Sequence, residues 1–217
     1  MADLDGVDSS SACTATTIAC LQSNNISFVG RYYSRTTQIP GKKLSAAEAQ
    51  LLSAANLSIV AVYEDGPTSY AYFSAARGVA DANGALQQAA AVGQPAGSGI
   101  YFTVDYDAAS DEIAGDITEY FSAIAETIGD TYRVGVYGSG DVCTAITAGG
   151  FATLAWLAQS TGWGGYSGFT QWAIKQGPEK AVCGLNSDTD IARGDFGSFA
   201  VQSPSAEDIQ HAVVHPA

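Results

Sequence analysis

Eight short runs of β character recur along the chain, separated by Ala-rich stretches of helical character, and this end-to-end alternation constrains the fold more than any other feature. Strands alternating with helices are the pattern of a parallel α/β architecture. The runs are Leu4 to Asp8, Ser27 to Tyr32, Ser58 to Tyr63, Gly99 to Asp105, Arg133 to Tyr137, Leu154 to Ala158, Thr170 to Lys175 and Asp188 to Ala192. Eight is the number that closes a (β/α)8 TIM-type barrel. A chain of 217 residues, 47% hydrophobic and 14% charged, has the apolar content to fill one compact barrel as a single domain over residues 1–217.

The intervening segments carry their own signals. Ser45 followed by Glu48 forms a capping box that starts the second helix. Tyr70 to Val92 reads as a long helix in which Gly78 and Gly84 favour a bend or break, each glycine costing about 1 kcal/mol relative to Ala. Asp111 to Ile128 spaces Ile113, Ile117, Tyr120, Phe121, Ile124 and Ile128 at three and four, which predicts a clean amphipathic helix. Ser160 to Gly168 is too short and too rich in Gly and Ser for a crossover helix, so the sixth helical unit is expected to be reduced to a loop. Pro204 to Ala217 is expected to form a last short helix.

The formal net charge of −13 repels phosphates and anionic lipid, which argues against a nucleic-acid partner, and no apolar stretch is long enough to span a bilayer as a helix. The four cysteines lack the close paired spacing of a zinc site, so disulfides are expected. Cys13 with Cys20 would clip a local loop and Cys143 with Cys183 would tie two late segments, although three pairings are open. No basic-then-apolar leader is read before the first strand. The cysteines fit a mature exported protein or an effector delivered without a leader to a rival cell's envelope, and the missing leader fits a cytoplasmic protein; of these an extracellular or periplasmic location is the expectation. His211 and His215 fall in the C-terminal segment, which leaves no histidine for a Ser-His-Asp triad or a zinc cluster.

The chemistry is expected where the strands end, because the βα loops of a barrel vary over a rigid scaffold. Asp8 closes the first run, Glu64 and Asp65 follow the third, Asp105 and Asp107 end the fourth, and Asp188 and Asp190 lie in the eighth. If the fourth strand continues far enough, alternation points Asp105 and Asp107 to one face. Carboxylates crowded at a barrel mouth repel one another and at least one holds its proton, as a general acid must. Asp65 and Asp188 read rather as capping or solvated residues. Tyr32, Tyr63, Tyr137, Trp156, Trp163, Tyr166 and Trp172 gather near the same ends and offer flat faces for sugar rings. Arg31 fits either a buried ion pair or a substrate carboxylate. A divalent cation among Asp8, Asp105, Asp107 and Asp190 is a further reading of the same acids.

Taken in order, the motifs Gly6-Val7-Asp8, Phe28-Val29-Gly30-Arg31-Tyr32, Gly99 to Asp107, Gly135-Val136-Tyr137-Gly138-Ser139, Trp156-Leu157-Ala158-Gln159, Trp172 to Gln176 and Asp188-Thr189-Asp190 cover nearly the whole chain. In this order the chain resembles the glycoside hydrolase-like domains of the unknown-function family 1906, distant relatives of the family 25 lysozymes. The resemblance implies a centre built from Asp8, Asp105, Asp107 and Asp190, with Glu64 as a second candidate proton donor. It implies substrate contacts from Arg31, Tyr32, Tyr63, Tyr137, Trp156, Trp163 and Gln176. The family 25 strand-four motif is similar to Asp-x-Glu, whereas the second acid here is Asp107, one methylene shorter. The implied function is muramidase-like hydrolysis of a bacterial cell-wall glycan by a monomer that needs neither organic cofactor nor metal. The alternative is a catalytically impaired barrel that binds cell-wall or capsular polysaccharide.

Overall fold

A computed structural model describes residues 2–202, so the last helix expected from Pro204 onward lies outside the described residues. The eight strands are β1 (Leu4–Asp8), β2 (Phe28–Tyr33), β3 (Ser58–Tyr63), β4 (Gly99–Thr103), β5 (Arg133–Gly138), β6 (Leu154–Leu157), β7 (Ile174–Val182) and β8 (Leu185–Ala192). They close into one barrel in chain order. β1 through β7 pair in parallel. β8 departs from the all-parallel expectation and runs antiparallel to both of its neighbours, β7 and β1. The cause is local: Cys183 and Gly184 both take positive φ, 55° and 79°, the backbone of a two-residue hairpin, so no crossover intervenes.

The helical layer comprises α1 (Ala15–Ser23), α2 (Ala46–Ala54), α3 (Ala75–Val92), α4 (Ser110–Glu112), α5 (Thr118–Ile128) and α6 (Gly140–Ala148). Ser45 caps α2 by accepting from the Glu48 N–H at 3.2 Å. Glu48 does not complete the box; its carboxylate turns to the Cys13 N–H and to Arg31 instead. The expected break in the third helical stretch falls at Phe73-Ser74, between a 3-10 turn (Tyr70–Tyr72) and α3, and not at its glycines. Gly78 is spent on packing: a Cβ there would stand 2.3 Å from the Tyr120 carbonyl oxygen of α5. All six apolar residues predicted for the 111–128 helix are buried, in a helix that widens to a π turn over Ile113–Ile117 at Gly115. Turns, with no helix among the described residues, connect β6 to β7, as expected for the reduced sixth unit.

Two apolar layers result. Phe28, Val60, Tyr101, Leu154, Trp156 and Ile174 fill the barrel above Phe196, and a larger layer lies between strands and helices. Large rings fit inside because inward-facing glycines stand opposite them. A Cβ at Gly6 would come 2.2 Å from the Phe28 ring, and one at Gly135 would come 2.5 Å from Tyr101.

The cysteines correct the expected pairings. Cys20 of α1 bonds to Cys183 of the β7–β8 turn, with Cα atoms 5.7 Å apart across a sequence separation of 163. Cys13 and Cys143 are free and buried. Burial pushes each of their thiols up to about 12, so neither is a ready nucleophile.

The fold makes two testable statements. Gly6→Ala should cost about 1–3 kcal/mol through overpacking against Phe28, seen as a lower urea midpoint; a wild-type midpoint would contradict the interior packing. Cys20→Ser with Cys183→Ser should cost roughly 2–5 kcal/mol by freeing a long loop in the unfolded chain, and loss of the same stability on reduction of the native protein checks it.

Candidate active site

The strand ends at the barrel mouth surround a cleft of about 220 Å³. Because β8 is antiparallel, its first half reaches the mouth: Asp188 stands opposite Asp8 in the ladder and Asp190 opposite Gly6. Strand alternation turns Asp8, Tyr32, Thr103, Tyr137, Gln176 and Asp188 toward the cleft. Asp8 and Asp190 are 3% and 2% exposed, Asp8 meeting the cleft at its floor and Asp190 lying beneath it.

Asp8 is held from two sides. Tyr32 donates its hydroxyl to Oδ1 at 2.7 Å, and Gln176 donates its amide to Oδ2 at 3.0 Å. Gln176 is itself set by Tyr137, whose hydroxyl donates to Oε1 at 2.8 Å. Burial raises the Asp8 pKa to about 6 against the opposing pull of Gln176 and Tyr32. Burial, followed by repulsion from Asp8, pushes Asp190 well above the carboxylate range. Asp190 Oδ1 accepts from the Trp156 indole at 3.1 Å, whereas Oδ2 is buried without a donor among the described residues. Burial and the neighbouring Asp8 both favour a protonated Asp190, and a proton held between the two carboxyls would supply the donor that its Oδ2 lacks.

The outer acids differ. Asp105 is half-buried and lines the cleft; burial raises its pKa, repulsion from Glu64 adds to this, and Lys42 opposes it. Asp188 is also raised, by burial and by Glu179 beside it in the hairpin, and it accepts from the Gln159 amide at 3.1 Å. Glu64 reaches the rim but is paired to Lys42 at 2.6 Å, and the Lys42 ammonium lies 4.7 Å from the centre of the Tyr32 ring. Trp163 completes the wall and Trp156 the floor.

Asp190 lies beneath the cleft, and Asp107, Arg31 and Tyr63 do not join it at all. β4 ends at Thr103, so the alternation that was to point Asp107 inward stops short; Asp107 is exposed and accepts from the Gly164 N–H at 2.8 Å. Arg31 points outward between Gly30 and Tyr32, is fully buried, and pairs with Glu48 at 2.8 Å and with the Gly41 carbonyl at 2.6 Å. Tyr63 likewise faces the helical layer, where its hydroxyl meets Arg35, Asp65 and Asp81. Conversely, Asp188, read as capping or solvated, and Gln159 and Lys42, to which no role was assigned, line or brace the cleft. The reversed direction of β8 supplied the first, and no local pattern marks the other two. Among the described residues no group of three or more His, Cys, Asp or Glu is arranged to hold a metal ion, and the dispersal of Asp107 removes one expected ligand.

Residues 19–194 match the family described as the Rv2525c-like, glycoside hydrolase-like domain. The chain belongs to that family. It is 30% identical to the uncharacterized protein YbfG of Bacillus subtilis over 220 residues, covering 91% of this chain and 30% of that protein. It is also 30% identical to the uncharacterized protein FadG of the same organism over 181 residues, covering 78% of this chain and 31% of that one. The chain thus spans about three-tenths of the length of the curated relatives it matches. Among solved structures, the Tat-secreted protein Rv2525c of Mycobacterium tuberculosis aligns with a TM-score of 0.79 at 24% identity, covering 90% of this chain and 98% of that one. A muramidase from Acremonium alcalophilum aligns at 0.55 with 16% identity, covering 88% and 94%. A family 25 glycosyl hydrolase from Bacillus anthracis aligns at 0.51 with 10% identity, covering 96% and 92%. What these structures share with the chain is the barrel, so this is a glycoside hydrolase-like domain with the fold of muramidases.

A carboxyl whose pKa is higher in the fold than in the unfolded chain favours the protonated native state. Its stabilising effect is full below about pH 4 and is lost as pH rises through about 6. For Asp8 the loss is on the order of 3 kcal/mol, and Asp190 acts in the same direction. Asp190→Asn keeps an acceptor for Trp156 and offers Asp8 a permanent donor. It should therefore raise stability at pH 8 by about 1–3 kcal/mol and flatten the decline between pH 4 and 7, read by urea unfolding across pH. A variant less stable than wild type at pH 8 would sink the shared-proton arrangement.

Proposed function

We propose that the cleft hydrolyses a bacterial cell-wall-type glycan, with Asp105 as proton donor and Asp8 as the carboxylate that offsets the positive charge of the oxocarbenium-like transition state. The observation that carries this reading is the split in environment between the two acids facing one cleft. Asp105 is half-buried and raised by burial and by Glu64. Asp8 is locked by Tyr32 and Gln176 above Asp190, whose burial favours the protonated form. Glycoside hydrolysis needs one carboxyl free to give a proton to the leaving oxygen and a second fixed in place beside the ring; the Asp105 carboxyl has no side-chain donor among the described residues, whereas Asp8 is held by two. Asp105 gives its proton to the glycosidic oxygen as the bond to the anomeric carbon breaks; Asp8, oriented from two sides, balances the charge left on the ring until water adds to the anomeric carbon and returns a proton to the Asp105 carboxylate. Asp105 thus takes the donor role expected of Asp107, because it is the strand-four acid that faces the cleft.

Tyr32, Tyr137 and Trp163 supply apolar faces with polar edges for sugar rings. Support for a peptidoglycan-type substrate comes from the shared barrel of a muramidase and of a Streptococcus pneumoniae autolysin solved with a synthetic peptidoglycan ligand. The Cys20–Cys183 disulfide fits an oxidising compartment outside the cytoplasm, as does the likeness to a Tat-secreted protein. A second reading, a barrel that binds glycan without cleaving it, is favoured by one specific observation. Glu64 is neutralised by Lys42 and Asp107 is turned away, so two of the expected acids are occupied elsewhere.

Incubation with purified peptidoglycan, read as new reducing ends by mass spectrometry, separates the two. The hydrolase reading expects new ends whose rate falls about 10²- to 10⁴-fold in Asp105→Asn, with a smaller loss in Glu64→Gln. Co-sedimentation of wild type with the glycan and no new ends at any pH between 4 and 8 would replace it with the binding reading.

A further inference from the structure

The loop between β6 and β7 has no helix to stiffen it, yet it carries Gln159, Ser160 and Trp163 to the cleft. Its fastening is found at Gly164. The Gly164 N–H donates to Asp107 Oδ1 at 2.8 Å, and the Gly164 carbonyl accepts from the Asp141 N–H at the start of α6 at 3.0 Å. Backbone meets backbone at Gly140, and at Gly164 the close neighbour is the Asp141 carboxylate. A Cβ at Gly164 would stand 2.4 Å from Asp141 Oδ2, one at Gly140 would stand 2.2 Å from the Gly165 carbonyl oxygen, and Gly165 has φ of 71°. Trp163 sits one residue before this clamp, in a turn closed by its own N–H to the Ser160 carbonyl at 2.9 Å. Wherever Gly164 is held, the indole follows.

The other side of the clamp begins in the cleft. Asp105 faces the proposed substrate, and two residues later Asp107 reaches across the surface to the loop. One short segment after β4 therefore carries both an acid of the site and the acceptor that holds the opposite wall.

We propose that Asp107 is a positioning residue: by accepting the Gly164 N–H it fixes the β6–β7 loop so that Trp163 stands as a sugar-stacking wall beside Asp105. Its ligand, a glycan chain, rests on the function proposed above; the latch itself does not. The role needs an acceptor oxygen and no negative charge, which separates it from acid–base catalysis.

The test uses the full chain as wild type, Asp107→Ala, Asp107→Asn, Trp163→Ala and the Asp107→Ala/Trp163→Ala pair. Two measurements are made: amide hydrogen exchange over 159–166, and affinity for purified peptidoglycan by co-sedimentation, with KM and kcat where turnover is seen. Asp107→Ala is expected to speed exchange in the loop and to weaken glycan affinity, each by roughly threefold to tenfold, raising KM more than it lowers kcat. Asp107→Asn is expected to restore both, because its amide oxygen accepts the same N–H. In the pair, the two affinity losses should fall short of additive. Wild-type exchange in Asp107→Ala would overturn the latch. A loosened loop with undiminished affinity, or Asp107→Asn behaving like Asp107→Ala, would overturn the positioning role. If wild type neither binds nor cleaves any glycan, the proposed function fails and the affinity role fails with it, while the exchange data still decide the latch.

Discussion

Barrel closure by β8 is the constraint on which the site depends. A parallel eighth strand would need a crossover after β7; instead the chain turns at Cys183-Gly184 and comes straight back between β7 and β1. The barrel is left with no unpaired edge. Because the strand is reversed, its first residues rather than its last stand at the mouth, which puts Asp188 beside Asp8 and Asp190 one layer beneath. The disulfide ties the same turn to α1, so the wall bearing Asp188 is fastened at its tip as well as along its ladder.

Beneath that wall the interior is packed around one large ring. Trp156 fills the centre against Tyr101 and Tyr137 in edge-on contacts, and a Cβ at Gly30 would stand 2.9 Å from its ring. Its indole N–H, which burial obliges to find a partner, donates to Asp190. One tryptophan thus completes the apolar core and supports the acid pair above it.

The acids are graded by their surroundings. Asp190 is deepest, where burial favours its protonated form, and Asp8 is buried but oriented by two donors. Asp105 is half in water with a raised pKa, and Glu64 at the rim is compensated by Lys42. Keeping Asp8 and Asp190 together costs stability above pH 6, a cost borne at a cleft and nowhere needed for folding. Asp65 and Asp81, equally buried, show the contrast: Arg35 and Arg77 pair with both. The acids that line the cleft lack an arginine partner among the described residues.

The amino-acid sequence by itself determined the number of strands and the places of seven of them, the cap at Ser45, the buried face of the 111–128 helix and the presence of Asp8, Asp105 and Asp190 near strand ends. These follow from periodicity and short-range hydrogen bonding, which are written in neighbouring residues. β7 (Ile174–Val182) lies mostly beyond the run expected at Thr170 to Lys175. Only the tertiary structure decided which acids meet. The end of β4 at Thr103 removed Asp107 from the cleft, alternation in β2 and β3 turned Arg31 and Tyr63 toward the helices, and Lys42 and Gln159 arrived from loops with no periodic mark. The partner of Cys20 lies 163 residues away. Strand direction, the residue at which a strand ends and long-range pairing depend on closing the whole barrel, a condition that no local window of the chain contains.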